Sequence, residues 1–321
     1  MTKRYKTIAV LTTINQPNKK VGDWFDITKN KTIVVGDNKT PQDWQHDKCT
    51  YYSISDQKES EFKISSQLPE NHYTRKNLAY LFAIKSGASR IIDTDDDNFP
   101  NIREWECLLK SEFEILEHTP SEKISFKNIY SYFSNSDIPF WPRGFPLNLI
   151  NLDESNINLT DTTKSHTKEV GLWQCMVHGD PDIDAIHRLI FKSTPTFNNS
   201  SAILMSKGIF CPFNSQNTLI SRKMIKDYFL FPHIGRMDDI WASFYVTSKK
   251  YKVVYNESTV YQARNVHNLI KDFKDETIGY ENSLKLIEAL YKNSENIYDF
   301  LPVLSSKAFD EWKKIISKIK K

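Results

Sequence analysis

The sequence predicts an α/β fold whose first hundred residues alternate buried strands with helices. Two apolar runs rich in β-branched residues, 7–13 (TIAVLTT) and 31–37 (KTIVVGD), end in polar residues, as buried parallel strands do. The third observation is a helical stretch at 71–88 that leads directly into the apolar run 89–93 (SRIID). Strand, helix and strand in this order indicate parallel strands joined by a crossover helix.

The other elements follow from similar patterns. The run 50–55 (TYYSIS) predicts a further strand, and the helix at 71–88 has Asn71 or Thr74 as its cap and Gly87 as its stop. The rest of the chain predicts an amphipathic helix at 103–121, a loop-rich stretch at 122–215, a helix at 237–250, a strand at 251–256 and a basic amphipathic helix at 307–321. Since no internal repeat or linker interrupts this order, we expect a single domain over 1–321.

Composition narrows the class of protein. Hydrophobic residues make up 39% and charged residues 26% of the 321 residues, as in an ordinary globular domain. The net charge of +3 is the small difference between 43 basic and 40 acidic residues, so it does not indicate a nucleic-acid-binding surface. The four cysteines lie far apart without metal-ligand spacing, which predicts reduced thiols and a cytoplasmic protein.

An aspartate cluster is the strongest chemical signal in the chain. The segment RIIDTDDDNFP (90–100) places four aspartates within five positions at the end of a predicted buried strand. Carboxylates this close repel one another, and a turn or helix cap needs only one of them. A calcium loop fits the D-x-D-x-D spacing, but Asn98 replaces the glycine of the sharp turn and Pro100 lacks the N–H for loop pairing.

Two further alternatives are an aspartate nucleophile of the phosphatase type and a metal-binding D-x-D motif. The phosphatase motif normally continues with threonine or valine, where this chain has Asp96 and Asp97. In the D-x-D alternative, carboxylates hold Mg²⁺ or Mn²⁺ beside a nucleotide diphosphate. Strand alternation would place Asp93, Asp95 and Asp97 on one side, at the sheet edge where open α/β folds bind ligands. The sequence therefore favours a divalent metal site here.

Nine ordered motifs resemble the plant STELLO proteins and their glycosyltransferase-like relatives over roughly residues 7–280. They are VLTTINQP, VVGDNKTP, LPENHYTRKNLAYLFAIKSGA, DTDDDN, FWPRGFPL, DPDIDAIHRL, CPFNSQNT, GRMDDIW and QARNVHNLIKDF. Three features of the second half more faintly resemble the reversibly glycosylated polypeptides, which act as UDP-arabinopyranose mutases: the PD-x-DA segment at Pro181, Lys207 with Gly208, and R-x-DD-x-W from Arg236. Both resemblances imply a GT-A-type nucleotide-diphospho-sugar transferase fold, a Rossmann-like mixed sheet flanked by helices.

The resemblance also implies roles for the polar motif residues. Donor-binding residues would be Thr12, Thr13, Asn15, Asp37, Arg75, Asn77, Asp93, Asp96 and Arg236. The metal would be held by Asp95, Asp97 and His267. Sugar or acceptor contacts would come from Trp141, Arg143, Asp182 and Asp184, and the catalytic residues would be Asp238 and Asp239. The donor half would then occupy about 1–120, the acceptor half about 121–280 and C-terminal helices about 281–321.

Several of these roles have structural alternatives. Asp37 would accept the uracil N3–H or simply form a turn, and Arg75 would pair with Asp93 or with a diphosphate. One of Asp238 and Asp239 would cap the following helix, and the other would be a general base. Trp141 and Arg143 would form either a sugar platform or a buried turn.

The resulting expectation is a metal-dependent glycosyltransferase that transfers a sugar from a nucleotide-diphosphate donor, most readily a UDP-sugar, to a hydroxyl acceptor on a glycan or lipid-linked glycan. The alternatives are a nucleotide-sugar mutase and a non-catalytic nucleotide-sugar-binding scaffold. The basic C-terminal helix is expected to dock on the domain or to contact the inner face of a membrane peripherally.

Overall fold

The computed structural model describes residues 6–110, 113–119, 125–134, 136–150, 152, 156–157, 162–167, 171–198, 200–206, 208–263 and 268–319. Its strands are β1 (Thr7–Thr13), β2 (Thr32–Gly36), β3 (Cys49–Tyr52), β4 (Arg90–Thr94), β5 (Asn98–Pro100), β6 (Phe113–His118), β7 (Ser125–Phe126), β8 (Thr162–Thr167), β9 (Leu172–His178), β10 (Ile203–Met205), β11 (Ile209–Phe210), β12 (Asn217–Ser221) and β13 (Val253–Gln262). Its α-helices are α1 (Asp23–Thr28), α2 (Ile54–Glu59), α3 (Lys76–Lys85), α4 (Ile102–Lys110), α5 (Ile129–Phe133), α6 (Ala185–Ile190), α7 (Arg222–Ile225), α8 (Asp238–Ser248), α9 (Leu269–Lys292) and α10 (Val303–Lys318).

A large mixed sheet organises the domain. Its strand order is β3-β2-β1-β4-β12-β9-β13-β10-β6-β8, and β5 pairs with β13 outside this path. The first four strands of that order are parallel to one another, whereas β12 runs antiparallel to both β4 and β9. The predicted α/β class is therefore confirmed, with four adjacent parallel strands in the first third of the chain and further parallel pairs, β9 with β13 and β6 with β10, in the rest.

Two apolar layers cover the two faces of this sheet. Side chains alternate along β1, so Ile8 and Val10 belong to a buried cluster that includes residues of α3, α8, α9 and α10, whereas Ala9 and Leu11 belong to one that includes residues of α1 and α4. On the second face, the ring of Trp24 in α1 meets the ring of Trp105 in α4 edge-on, with centroids 5.6 Å apart. Helices on both faces leave the carboxyl ends of β1 and β4 as an open edge.

The expected helix at 103–121 is wrong in its second half. The helix α4 ends at Lys110, and Phe113–His118 forms the strand β6 between β10 and β8. Neighbours on both sides satisfy the backbone of this segment, and long-range pairing of this kind overrides the local helical pattern. The loop-rich expectation for 122–215 likewise missed β8, β9 and β10. The strand β9 is buried along nearly its whole length, so its sequence lacks the alternation that marks a half-exposed strand.

The C-terminal helix packs on the domain through its apolar face. In α10, Phe309 and Trp312 are fully buried against Phe229, and the Trp312 indole N–H donates to the backbone carbonyl of Lys226. The docking expectation for this helix therefore holds, and the peripheral membrane contact stays a prediction. No helix among the described residues has the length and apolar character needed to cross a bilayer.

Candidate active site

A cleft of about 230 Å³ opens at the carboxyl ends of β1 and β4. These two strands are parallel neighbours, with Val10 in register with Asp93. One wall carries Thr12 and the aspartates that follow β4, and the opposite wall comes from segments of the second half. The lining residues are Thr12, Tyr73, Asp95, Asp96, Asp97, Arg143, Asp182, Ser215, Gln216, Arg236, Asp239 and Gln262.

A buried lysine lies behind the aspartate cluster. The Lys76 ammonium is 3.1 Å from Asp93 Oδ1 and 2.8 Å from Asp95 Oδ1, and it donates to the Ser215 carbonyl at 2.9 Å. Tyr80 donates its hydroxyl to the other oxygen of Asp93 at 2.6 Å. Burial raises the pKa of Asp93, whereas for Lys76 the two carboxylates outweigh burial and raise the pKa. The repulsion inside the cluster is thus partly relieved by a cation of the chain itself.

The other two aspartates of the cluster are fixed by different elements. Asp96 Oδ2 accepts hydrogen bonds from the Thr13 hydroxyl at 2.5 Å and the Asn15 amide at 2.9 Å. Asp97 Oδ1 accepts one from the Gln262 amide at the end of β13, at 2.9 Å. The end of β1, the loop after it and the end of β13 therefore orient the carboxylates that line the cleft.

A buried arginine organises the opposite wall. The Arg143 guanidinium donates to both oxygens of Asp182 and, at 2.9 and 3.0 Å, to the two oxygens of Asp239. The Ser215 N–H also donates to Asp239 at 3.0 Å, and the Asn214 amide donates to Asp182 at 3.0 Å. The charges of Asp182 and Asp239 outweigh burial and raise the pKa of Arg143 further above its ordinary value. Two cleft-lining carboxylates are thereby held in one fixed orientation.

Arg236 connects this wall to the long helix α9. Its Nε donates to Glu276 at 2.9 Å, and its terminal nitrogens are 3.6 Å from Asp272 and 3.8 Å from Asp182. Gly235 precedes it with φ +62°, and a Cβ there would lie 2.1 Å from the carbonyl oxygen of Asp275. Arg236 therefore reaches the cleft from a segment pressed against the backbone of α9.

The carboxylate oxygens of the cleft fit a hard divalent cation that would also be coordinated by oxygens of a bound ligand. Asp95, Asp96 and Asp97 all line it, and carboxylate oxygens suit Mg²⁺ and Mn²⁺. Among the described residues, however, no group of three or more histidine, cysteine or acidic side chains converges as a metal site. Mg²⁺ commonly takes one or two carboxylates and completes its coordination with substrate phosphates and water. His267, the predicted third ligand, lies outside the described residues.

The structure corrects two residues that were predicted to bind the nucleotide-sugar donor, Arg75 and Asn77. Arg75 is fully buried, and its guanidinium donates to the Gln57 side chain and the Leu68 carbonyl instead of to Asp93. Asn77 is also buried, and its amide bonds both backbone groups of Leu230. Because α3 begins at Lys76 after a tight turn, successive side chains point about 100° apart, and of Arg75, Lys76 and Asn77 it is Lys76 that faces the aspartates.

Asp37, Asp93 and Trp141 also differ from their expected roles. The Asp37 carboxylate accepts from three backbone N–H groups, which belong to Asn38, Asn71 and His72, so it forms the turn of the alternative hypothesis. Asp93 is fully buried behind the cleft rather than at a position to contact a donor. Trp141 is buried with its ring edge-on to His187, so it cannot serve as a sugar platform.

The acidic pair that precedes α8 splits between core and cleft. Asp239 lines the cleft, whereas Asp238 is fully buried, and burial together with Asp239 raises the pKa of Asp238. Neither caps α8, since the cap position is Met237 and no side chain bonds there. Of the two predicted catalytic residues, only Asp239 is placed where a substrate could meet it.

Asp184 caps α6 instead of facing the cleft. Its side chain accepts hydrogen bonds from the N–H groups of Ile186 and His187. Burial, and to a smaller extent the nearby charge of Glu276, raises the pKa of Asp184 to about 7. A carboxyl whose pKa is raised by folding binds protons more tightly in the native state. Its contribution to the free energy of unfolding therefore falls as pH rises from about 4 to about 7.

Asp184→Asn should flatten that pH dependence, because asparagine keeps the capping oxygen without the buried charge. Between about pH 5 and about pH 8, the free energy of unfolding should fall by about 2–3 kcal/mol less in the variant than in the wild type. Urea unfolding at both pH values measures this difference. Asp137→Asn, at an exposed position, is the control and should leave the pH dependence unchanged. Equal slopes for all three proteins would contradict the prediction.

Several residues of the cleft were not assigned a role from the sequence. Lys76, Tyr73, Ser215, Gln216 and Gln262 all lie within motifs of the resemblance, so the motifs located the site better than the choice of residues within them. Asp272 and Glu276 carried a signal of their own. They are four positions apart on one face of α9, and both face Arg236.

The fold and the position of the cleft together indicate a class of protein. A mixed sheet flanked by helices, with a carboxylate-lined cleft at the carboxyl ends of its parallel strands, is consistent with a GT-A-type nucleotide-diphospho-sugar transferase fold. The chain matches no protein-family model.

Two curated relatives from Arabidopsis thaliana are similar to this chain, namely probable glycosyltransferases STELLO2 and STELLO1. STELLO2 is 27% identical over 231 residues and STELLO1 is 27% identical over 229, each covering 65% of this chain. The chain spans only 29% and 28% of the length of those relatives. The predicted resemblance to STELLO-type proteins is confirmed by these matches, whereas the fainter one to the reversibly glycosylated polypeptides stays a prediction.

Proposed function

We propose that this chain is a metal-dependent glycosyltransferase that takes a nucleotide-diphosphate sugar, most readily a UDP-sugar, and transfers the sugar to a hydroxyl acceptor such as a glycan. The observation that carries this proposal is the single cleft in which Asp95, Asp96 and Asp97 face Arg236 and Asp239. The names of the two relatives support a general glycosyltransferase role.

The donor would lie along the aspartate wall. Asp95 and Asp97 would hold Mg²⁺ or Mn²⁺, which supplies charge neutralisation for the departing diphosphate. Thr12 lies beside them, and Thr13 and Asn15 hold Asp96, so the end of β1 and the loop after it are the expected nucleotide contact. Across the cleft, Arg236 keeps 21% of its side chain exposed and is the expected diphosphate contact.

The acceptor would approach Asp239. The Tyr73 hydroxyl is 3.4 Å from Asp239 Oδ1, which marks a position from which a hydroxyl group can reach that carboxylate. Arg143 and the Ser215 N–H fix the orientation of Asp239, so it would receive the acceptor proton without having to reorganise. Asp182, on the same arginine, would orient the sugar.

A mutase is the second candidate function. The motifs that resemble UDP-arabinopyranose mutases contribute Asp182, Arg236 and Asp239, and all three line the same cleft. A mutase would isomerise the sugar ring of the donor without an acceptor, whereas a transferase needs one. A non-catalytic scaffold would bind the nucleotide sugar and leave it unchanged.

Thermal unfolding tests the donor site. A nucleotide diphosphate added with Mn²⁺ should raise the melting temperature, because a ligand at 100 times its Kd stabilises the native state by about 2.7 kcal/mol. UDP, GDP and ADP would each be compared with and without Mn²⁺, and AMP with Mn²⁺ serves as the matched control without a diphosphate. If none of the diphosphates shifts the transition, the donor site is refuted.

Mass analysis of turnover products then separates the candidates. UDP-sugars would be incubated with Mn²⁺, with and without oligosaccharide acceptors. A glycosylated acceptor supports the transferase, and a ring-isomerised nucleotide sugar formed without acceptor supports the mutase. Binding without either product supports the scaffold.

A further inference from the structure

Lys76 contacts the aspartate cluster but has no role in the proposed donor and acceptor sites. Its side chain is fully buried, yet its ammonium contacts Asp93, Asp95 and the Ser215 carbonyl, all within 3.1 Å. An ammonium group has three donors, and these three oxygens match that number. Ser215 also bonds Asp239, so Lys76 lies between the two walls of the cleft.

We propose that Lys76 is a resident cation of the aspartate cluster, which engages Asp93 and shares Asp95, so that a divalent metal binds firmly only together with a nucleotide diphosphate. This inference rests on the proposed function, since it concerns the metal that would serve the donor.

Asp93 is fully occupied by partners from the chain itself. Of its two carboxylate oxygens, Oδ2 accepts from Tyr80 and Oδ1 lies against Lys76, and the side chain has no exposed surface. The Asp93 carboxylate, at the end of β4, is thus not available to an ion in the cleft. A metal would instead depend on Asp95 and Asp97, whose oxygens also serve Lys76 and Gln262.

Charge and coordination number both favour joint binding of the metal and a diphosphate. An ammonium 2.8 Å from Asp95 lowers the negative potential that a divalent cation experiences at that carboxylate. Mg²⁺ requires six oxygen ligands, and one or two shared carboxylates leave most of them to be supplied from elsewhere. Diphosphate oxygens supply both the ligands and the negative charge, so they restore what Lys76 removes.

A purely structural lysine predicts different behaviour. If Lys76 only neutralised buried aspartates, its loss would destabilise the fold and leave the metal affinity unchanged. If it occupies part of the cation site, its loss frees carboxylate charge that a divalent ion can take up directly. The metal affinity in the absence of nucleotide distinguishes the two.

The test compares wild type with Lys76→Met, and Lys85→Met is the control because Lys85 lies on the same helix with 62% of its side chain exposed. Mn²⁺ would be titrated with and without UDP, with free Mn²⁺ followed by electron paramagnetic resonance and stability by thermal unfolding. We expect UDP to tighten Mn²⁺ binding by wild type and Lys85→Met by about 100-fold, against at most about tenfold for Lys76→Met. Mn²⁺ alone should raise the melting temperature of Lys76→Met only.

A second variant keeps the test decisive if Lys76→Met does not fold. Asp93→Asn retains an oxygen for Tyr80 but removes one of the two carboxylates that Lys76 contacts, so Lys76 should hold Asp95 more tightly and Mn²⁺ in the presence of UDP should bind about tenfold more weakly than to wild type. Firm Mn²⁺ binding by wild type without UDP overturns the inference, as does an unchanged Mn²⁺ affinity in either variant while wild type binds Mn²⁺ with UDP. Absence of any binding by wild type, with or without UDP, refutes the proposed function and this inference with it.

Discussion

Replacing Asp95 and Asp97 together by asparagine should abolish metal-dependent nucleotide binding while the domain stays folded. Both side chains line the cleft, and a hard divalent cation strongly prefers carboxylate to amide oxygen. Asparagine keeps an oxygen that can accept from Lys76 or Gln262, so the contacts that orient the two positions persist. Since changes outside the first coordination shell already cost 10–100-fold in metal affinity, loss of both ligands should cost about 100-fold or more.

Calorimetric titration of UDP in the presence of Mn²⁺ measures this loss, and circular dichroism checks the fold. Asp43→Asn with Asp47→Asn is the matched control, because both positions are exposed and lie in the same half of the chain. A double variant at Asp95 and Asp97 that still binds UDP in a Mn²⁺-dependent manner would disprove the metal assignment.

Arg143→Met should produce the largest loss of stability of any single change at the site. Methionine fills a similar volume but leaves Asp182 and Asp239 buried without their cation. Breaking a buried ion pair by removing one partner costs about 3–5 kcal/mol, because a charge remains in a poorly solvated place. Here two carboxylates lose the same partner, although Arg236 is still 3.8 Å from Asp182.

The free energy of unfolding in urea provides the measurement. Arg103→Met, at an exposed position in α4, is the control and should change it by less than about 0.5 kcal/mol. Adding Asp182→Asn and Asp239→Asn to Arg143→Met should recover part of the loss, since the uncompensated charges disappear. A cost below about 1 kcal/mol for Arg143→Met would show that the network does not depend on this arginine.

The position of the aspartate wall could be predicted from local sequence alone. An apolar run that ends in polar residues defines a buried strand, and parallel strands end at a common edge, so the acidic cluster had to lie there. Local sequence could not decide between Arg75 and Lys76. Both are basic and both precede the apolar face of α3, and only the tight turn at Tyr73–Arg75 sets which one faces Asp93.

The second wall depends on contacts between distant parts of the chain. Arg143 meets Asp239 across 96 positions, and no periodicity or spacing reports such a pairing. The same is true of β6, whose neighbours in the sheet are β8 and β10. The sequence could therefore predict which motifs matter in this half, whereas burial decided which members of those motifs face the cleft, as for Asp239 and Asp238.

The contact between Gly235 and α9 couples the position of that helix to the position of Arg236 in the cleft. A helix of 24 residues is about 36 Å long and behaves as a stiff rod, and its far end packs against the turn at 294–299. With no room between Gly235 and the Asp275 carbonyl, a tilt of the rod cannot be absorbed at that contact and would carry Arg236 with it. A small displacement at the distant end of α9 would therefore be transmitted to Arg236, whose guanidinium lines the cleft.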